Sequence, residues 1–279
     1  MQNVDQSPSK RPPADRAIIV AAGRGSRMGA LTDALPKCLM PFLGVPLIEW
    51  QVAALRQTGI PEIVLITGYR AETLASYGDG HRHNPDWAST NMVHTLTMAR
   101  DLLSAPGATI VAYSDLLYEP RIVSALGATA FAVATAVDLE WERLWRARFD
   151  DPLSDAETLI RDPDGRLREI GQKPESVAAI QGQFMGLTRF TQSGGQAFLD
   201  AYDDAAQGRA APLGDRDARN AYFTDVLQRL IDTDVAVGSI ETRGGWLEFD
   251  NRSDLELYTG WADSGALQDQ FDGSWRDVA

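Results

Sequence analysis

Short apolar runs alternate with amphipathic stretches through the first half of the chain. The runs at 17–22, 62–68 and 109–114 predict buried strands, and the stretches at 46–58 and 91–103 predict helices. Such alternation is typical of an α/β protein with a Rossmann-like, doubly wound and mostly parallel central sheet. Ligands of these sheets bind at the carboxyl ends of the strands, so residues that follow the strands should meet there.

The pattern changes after residue 138. Two short strands are predicted within 157–170, because Asp-Pro-Asp-Gly at 162–165 is a strong turn sequence. Further strands are predicted at 181–190, 235–240 and 246–249, and further helices at 192–206, at 220–232 and from a cap at Ser253 to about Trp261. We interpret the chain as a flexible leader (1–15), a single domain (16–262) with a small inserted β subregion at about 139–215, and a C-terminal tail (263–279) that frays.

A glycine-rich loop follows the first predicted strand. Residues 21–47 read AAGRGSRMGALTDALPKCLMPFLGVPL, and Lys37 is one of only three lysines in the chain. Glycine lets backbone N–H groups approach phosphate oxygens, which arginine and lysine neutralise. A dinucleotide fingerprint needs a small residue where Met28 stands, and neither Gly23 nor Gly25 begins a P-loop. A phosphate cradle and an ordinary strand-to-helix turn both remain open.

Carboxylates follow two of the predicted strands. Asp115 ends the strand at 109–114, and strand alternation places Glu248 and Asp250 on one face. Side-by-side carboxylates repel each other unless a cation or proton lies between them, so a Mg²⁺ site is predicted here. A helix cap at Asp115 and an exposed, solvated pair at 248 and 250 are the alternatives.

Composition narrows the classes of function. The net charge of −13 argues against a nucleic-acid partner, although local cations still allow a nucleotide ligand. No apolar run approaches roughly 18 residues and no signal-peptide pattern opens the chain, so no membrane partner is expected. The single cysteine, Cys38, fits a reducing compartment, and we expect a cytoplasmic protein.

The glycine-rich stretch resembles the signature A-A-G-x-G-[ST]-R-[ML], then P-K-x-L-x-P, of nucleotidyltransferases that load sugar phosphates and similar acceptors onto nucleotides. The resemblance extends over roughly 16–260 and implies a GT-A-like nucleotidyltransferase fold. It implies that Arg27, Lys37 and Lys173 are catalytic, with Lys173 on the acceptor's phosphate, although Gln172 replaces the glutamate of the family's E-K-P motif. It also implies that Asp115 with Glu248 or Asp250 holds Mg²⁺.

The same resemblance implies the residues of two binding sites. The nucleotide would contact Ala22, Gly23, Gly25, Ser26, Arg27, Lys37, Tyr69, Asn84 and Ser114. The acceptor would contact Lys173, Gly186, Trp141, Trp145 and Glu157. The two tryptophans, four residues apart on a helix, could flank an ammonium group, or could equally well pack that helix onto the core.

Segments such as Thr67-Gly68-Tyr69 and Asn84-Pro85-Asp86-Trp87 are similar to the bacterial phosphocholine and phosphonate cytidylyltransferases. This similarity implies that CTP is the donor and that the acceptor is a small phosphorylated or phosphonylated compound of the phosphocholine, aminoethylphosphonate or phosphoamino-acid type. The acceptor oxygen would attack the α-phosphorus in line and release pyrophosphate without a covalent intermediate. A sugar-1-phosphate enzyme using UTP, GTP or dTTP, a non-catalytic nucleotide-binding subunit and, remotely, a dehydrogenase are the alternatives, and a homodimer is possible.

Overall fold

The computed structural model describes residues 12–278, so most of the predicted leader lies outside the described residues. The strands are β1 Arg16–Ala21, β2 Pro41–Phe42, β3 Val45–Pro46, β4 Glu62–Thr67, β5 Gly80–His83, β6 Ala108–Tyr113, β7 Leu116–Tyr118, β8 Val133–Asp138, β9 Leu159–Arg161, β10 Leu167–Ile170, β11 Gln183–Thr191, β12 Val237–Thr242 and β13 Trp246–Glu248. The α-helices are α1 Leu47–Gln57, α2 Met92–Leu96, α3 Arg100–Leu103, α4 Pro120–Gly127, α5 Trp141–Arg148, α6 Gln192–Ala206, α7 Phe223–Asp232 and α8 Arg252–Ser264.

Seven strands form the central sheet in the order β12-β8-β11-β6-β1-β4-β5. All neighbours are parallel except β11, which runs antiparallel to both β6 and β8. The predicted mostly parallel α/β fold is therefore confirmed. The excursion from this sheet covers only 139–182, shorter than the interval 139–215 set from the sequence, because β11 returns to the sheet's centre.

A hydrophobic core lies on each face of the sheet. The adjacent residues Ile18 and Ile19 of β1 point into different cores, as strand alternation requires. Ile19 packs in the core that also contains side chains of α1, α4, α5 and α8, and Ile18 packs with side chains of α2, α6 and α7. Helices thus cover both faces and leave the carboxyl ends of β1 and β6 accessible to ligands.

Two helix predictions need correction. The segment predicted as one helix over 91–103 is divided into α2 and α3 by a 3₁₀ turn at Thr97–Ala99. Helix α8 is capped by Asn251, not Ser253, because the Asn251 side chain accepts the N–H of Asp254 and the Asp254 carboxylate accepts the N–H of Asn251.

The prediction that the C-terminal residues fray is wrong for the part described. Phe271 is 1% exposed, and the Phe271 and Trp275 rings each lie 5.9 Å from the ring of Trp50 on α1. Arg276 extends over the same indole and forms an ion pair with Glu49. Aromatic burial therefore fastens this segment to α1. Within residues 12–278, no helix has both the length and the apolar character needed to cross a membrane.

Candidate active site

The glycine-rich loop joins β1 to a 3₁₀ helix at Ser26–Thr32. Gly25 has φ +75°, and a Cβ at this position would lie 2.6 Å from the Lys37 Cβ. Only glycine combines this positive φ with the absence of a Cβ, so Gly25 lets Lys37 pack directly against the loop. The Thr32 hydroxyl donates to the Gly25 carbonyl at 3.1 Å and holds the turn.

Lys37 lies between two carboxylates. Its Nζ is 2.5 Å from Asp115 Oδ2 and 3.5 Å from Asp250 Oδ1, and its side chain is only 12% exposed. Burial acts to lower the pKa of Lys37, but attraction to Asp115 and Asp250 outweighs it and raises the pKa. Lys37 is therefore a charged ammonium held in a largely desolvated position.

Arg148, the last residue of α5, forms ion pairs with the carboxylate cluster. Its side chain is 0% exposed and pairs with Glu248 Oε2 at 2.7 Å, Asp250 Oδ2 at 3.1 Å and Asp254 Oδ1 at 3.0 Å. It also lies over the Trp145 ring. Because Arg148 holds Oδ2 of Asp250 while Lys37 and Arg27 approach Oδ1, the orientation of that carboxylate is defined on both sides.

A short antiparallel ladder brings these distant residues together. Strand β13 pairs with β7, with Glu248 opposite Leu116, and the N–H of Phe249 donates to the carbonyl of Asp115 at 2.9 Å. The Trp246 indole anchors β13 by donating to the buried Asp138 carboxylate at 2.8 Å. The predicted convergence of Asp115 with 248–250 thus has a backbone cause.

Two cavities meet at the Lys37–Asp115 ion pair. The smaller, of about 170 Å³, lies beside the glycine-rich loop and is lined by Val20, Ala22, Gly23, Gly25, Lys37, Trp87, Thr90, Asn91, Met92, Thr95, Tyr113, Ser114 and Asp115. The larger, of about 380 Å³, is lined by Arg27, Lys37, Met92, Tyr113, Asp115, Trp145, Ser154, Asp155, Glu157, Gln183, Phe184, Tyr222, Phe223, Thr224, Glu248 and Asp250. This arrangement can hold two ligands whose reacting groups meet at Lys37 and Asp115.

The larger cavity is acidic as well as aromatic. Burial raises the pKa of Glu157 to about 7, opposed by a hydrogen bond with Thr224. Burial also raises the pKa of Asp155, and burial together with Asp250 raises that of Glu248 to about 8. Burial disfavours the charged form of these carboxylates, and a bound cation would stabilise that form. The cavity therefore suits a ligand with a positive group.

The fit of a divalent cation depends on the oxygen atoms that stay free. Asp115 Oδ1 is buried and has no hydrogen-bond partner within residues 12–278, and carboxylate oxygen is the ligand type that Mg²⁺ prefers. Glu248 Oε2 and Asp250 Oδ2, however, are engaged by Arg148. Among residues 12–278, no three His, Cys, Asp or Glu side chains form a group that could hold a metal ion. Asp115, Glu248 and Asp250 therefore do not form a ready-made three-ligand site, and the assignment of Mg²⁺ to Asp115 with Glu248 or Asp250 stays a prediction.

The structure separates the predicted nucleotide residues into two groups. Ala22, Gly23, Gly25, Lys37 and Ser114 line the smaller cavity, whereas Ser26, Arg27, Tyr69 and Asn84 do not. The Asn84 amide is fully buried and donates to Thr90 and Thr95. The Tyr69 hydroxyl donates to the carbonyls of Thr32 and Asp33. Both side chains hold the loops around the cavity together, and Arg27 lines the larger cavity instead.

The predicted acceptor residues also divide. Trp145 and Glu157 line the larger cavity, but Trp141 is 3% exposed and packs against Trp145 in the core. Trp141 therefore packs α5 onto the core and does not line the cavity for an ammonium group. Gly186, with φ +71°, lies behind the wall, where a Cβ would be 2.6 Å from the ring of Tyr113. Lys173 lines a neighbouring cavity.

Sequence reasoning missed Arg148 and several wall residues. Arg148 follows Trp145 by three positions and therefore lies on the same, buried side of α5. An arginine on the apolar side of a predicted helix indicates an internal cation with acidic partners, and the sequence contains this signal. The missed wall residues are Met92, Tyr113, Tyr222, Phe223 and Thr224. The rings of Phe184 and Phe223 are stacked, with centroids 5.9 Å apart. Their neighbourhood arises from β11 and α7 packing together, which no local pattern indicates.

Comparison with known proteins identifies the family. The sequence pattern of the family described as MobA-like NTP transferase domain matches residues 17–171, more than half of the chain. The chain belongs to this family. The prediction of a nucleotidyltransferase is confirmed. The matched region contains the glycine-rich loop, Lys37 and Asp115, whereas Glu248 at the end of β13 and Asp250 just after it lie outside it.

Individual relatives agree with this assignment. The CTP:phosphoglutamine cytidylyltransferase of Campylobacter jejuni is 34% identical over 253 residues, which cover 86% of this chain and 98% of the relative. The 2-aminoethylphosphonate cytidylyltransferase of Lancefieldella rimae is 32% identical over 116 residues, or 38% of this chain and 47% of the relative. The structure of the Streptococcus pneumoniae CTP:phosphocholine cytidylyltransferase aligns with TM-score 0.66 and 20% identity over 86% of this chain and 96% of that one, which shows the shared fold.

Proposed function

We propose that this nucleotidyltransferase transfers CMP from CTP to a small phosphorylated or phosphonylated acceptor, with Mg²⁺ as cofactor and pyrophosphate as the second product. The observation that carries the proposal is the meeting of a glycine-lined cavity and an acidic, aromatic cavity at Lys37 and Asp115. The names of relatives that use CTP with phosphoglutamine, aminoethylphosphonate and phosphocholine support the choice of substrates.

The smaller cavity is assigned to CTP. Backbone N–H groups of the glycine-rich loop and the Lys37 ammonium suit a triphosphate, since preorganised donors stabilise anionic oxygens without reorganisation. Trp87, Asn91 and Ser114 line the same cavity and offer an indole face and hydrogen-bonding groups for a pyrimidine nucleoside. The α-phosphate would then lie at the boundary with the larger cavity.

The larger cavity is assigned to the acceptor. Arg27 and Lys37 line it near Asp250 and can bind an acceptor phosphate or phosphonate, whose oxygen attacks the α-phosphorus in line. Both reactants are anionic, so the chain's task is to position them and reduce their repulsion. Lys37 reduces this repulsion by leaving Asp115 and Asp250 and binding phosphate oxygens, and the aromatic walls of the cavity exclude water.

Asp115 and Asp250 are the side chains that would hold Mg²⁺, with Glu248 restrained by Arg148 behind them. The bound ion would neutralise phosphate charge and help to orient the triphosphate. Because Lys37 pairs with both aspartates, it is the charge that must move when nucleotide and metal enter.

The test is pyrophosphate release with CTP, UTP, GTP or dTTP against phosphoamines, phosphonates and sugar 1-phosphates. Release should require CTP, a phosphoamine or phosphonate, and Mg²⁺, and EDTA should abolish it. Lys37→Ala should lower kcat/KM by roughly 100-fold or more, while Arg252→Ala, a change on the solvent face of α8, should not. Turnover with a sugar 1-phosphate and UTP, GTP or dTTP but not with CTP would refute the assigned substrates, and full activity of Lys37→Ala would refute the assigned role of Lys37.

A further inference from the structure

A third cavity of about 500 Å³ adjoins the acceptor cavity, and Glu157 and Tyr222 line both. We refer to it as the side cavity. Its remaining lining residues are Gly171, Gln172, Lys173, Pro212, Leu213, Gly214, Asp215, Arg216, Asp225, Gln228, Arg229 and Asp232. Glu157 and Tyr222 therefore form the boundary between the acceptor cavity and the side cavity.

Two cations of the side cavity are free to meet a ligand. Lys173 and Arg216 are exposed, and neither forms an ion pair within residues 12–278. The Arg216 guanidinium lies 4.0 Å from the centroid of the Tyr222 ring, so it stands at the junction of the two cavities. Arg229 differs, because it donates to the backbone carbonyls of Ala211 and Pro212.

Two carboxylates of the side cavity are engaged by the protein itself. Asp225 accepts the N–H of Tyr222 at 2.7 Å, and Asp232 accepts the side-chain amide of Gln228 at 2.8 Å. Asp215 is exposed in the loop before α7. The junction thus presents an acid, Glu157, and a guanidinium without an ion pair among residues 12–278, Arg216, to the same ligand.

Opposite charges at one junction match a ligand that carries both signs. Glu157 lines both cavities, and the Arg216 guanidinium of the side cavity lies over the ring of Tyr222, which also lines both. An ammonium at Glu157 would compensate its desolvation, and a carboxylate suits the fork of a guanidinium. An acceptor with only an ammonium leaves Arg216 and Lys173 without a partner.

We infer that the acceptor of the proposed transfer is a phosphorylated amino acid, whose ammonium group lies at Glu157 and whose carboxylate is bound by Arg216 and Lys173. This inference rests on the proposed function and selects one of its acceptor types. The phosphate of the acceptor lies toward Lys37, and the amino-acid end lies toward the side cavity.

The experiment uses pairs of acceptors that differ only in the carboxylate: O-phosphoserine with phosphoethanolamine, and O-phosphohomoserine with 3-aminopropyl phosphate. Steady-state pyrophosphate release with CTP and Mg²⁺ should give a kcat/KM about 10- to 100-fold higher for the amino acid of at least one pair, the range that one charge-assisted contact supplies. The preference should arise mainly in KM.

Arg216→Gln should reduce that preference by roughly tenfold or more, and Lys173→Gln should also reduce it. Arg252→Gln, a matched loss of one exposed guanidinium on α8, should leave the preference unchanged. Thermal unfolding midpoints of all variants should match that of the parent, because these side chains are exposed.

Equal kcat/KM within both pairs, or a preference that survives Arg216→Gln and Lys173→Gln, would overturn the inference while leaving the proposed function intact. Preference for phosphocholine over every amino-acid acceptor would also overturn it. Absence of turnover with all phosphorylated and phosphonylated acceptors would instead refute the proposed function, and the inference with it.

Discussion

Replacing Arg148 with methionine tests whether this one cation holds the carboxylate cluster together. The substitution keeps an unbranched apolar stem beside Trp145 but removes the partner of Glu248, Asp250 and Asp254. Removing one side of a buried ion pair costs about 3–5 kcal/mol, because the remaining charge stays desolvated. We expect the free energy of unfolding to fall by about that amount at pH 8. Although Arg148 pairs with three carboxylates, the loss should not be three times that of a single buried ion pair.

The cost is limited because a carboxyl group can bind a proton instead of the guanidinium. The pKa of Glu248 is already raised to about 8 by burial and by Asp250, with Arg148 opposing the shift. Without Arg148 it rises further, so the folded variant binds more protons than the folded parent does. Stability of the variant relative to the parent should therefore improve as the pH falls from about 8 toward 6.

Urea unfolding at pH 8 and pH 6, followed by tryptophan fluorescence and by far-UV circular dichroism, measures both effects. The control is Arg146→Met on the same helix, because Arg146 is 58% exposed and, among residues 12–278, its ion pair is with Glu142 one turn away. That change should cost less than about 0.5 kcal/mol. The reasoning is refuted if Arg148→Met is as stable as Arg146→Met at pH 8, or if its deficit grows as the pH falls.

Three further predictions follow from single side chains. Gly25→Ala should destabilise the fold by about 1–3 kcal/mol and weaken CTP binding in calorimetry, because its Cβ would collide with Lys37 at a positive φ; unchanged affinity would contradict the packing of Lys37 on the loop. Burial raises the pKa of Glu157 to about 7 in the folded protein, so the protonated group contributes stability that is lost as the pH rises from about 4.5 to 7. In unfolding experiments, Glu157→Gln should remove about 1–2 kcal/mol of this pH dependence, less than a fully buried group would contribute. Identical pH profiles of variant and parent would contradict the raised pKa. Phe271→Ala should lower the free energy of unfolding by about 3–5 kcal/mol through loss of its buried ring against Trp50, and a loss below 1 kcal/mol in urea unfolding would show that the C-terminal segment is only loosely attached.

The parts of the site that sequence reasoning found are those whose residues are close together in the chain or follow a strand. Gly25 and Lys37 belong to one motif, and Asp115 lies just beyond the end of β6, so strand prediction alone places them at the same sheet edge. The fold class could be predicted for a similar reason, because each strand and most helices carry their own pattern of apolar residues.

The parts that were missed or misplaced depend on partners far away in the sequence. Arg148 pairs with carboxylates about 100 positions downstream, and Phe271 packs against Trp50, so a local pattern can indicate burial but cannot identify these partners. Asn84 belongs to a segment that resembles cytidylyltransferases, but resemblance does not distinguish a residue that touches the nucleotide from one that holds the loop. The side cavity requires the loop before α7 to approach Lys173, which only the folded chain reveals.

The pairing of β13 with β7 has a consequence for synthesis of the chain. Lys37 and Asp250 are 213 positions apart, so at about 5–20 residues per second they leave the ribosome roughly 10–40 s apart. During that interval the nascent chain carries the glycine-rich loop and a lysine whose second carboxylate partner has not yet been made. The charge balance around Lys37 is complete only when Asp250 docks beside it, so this ion-pair cluster forms after that residue has been synthesised.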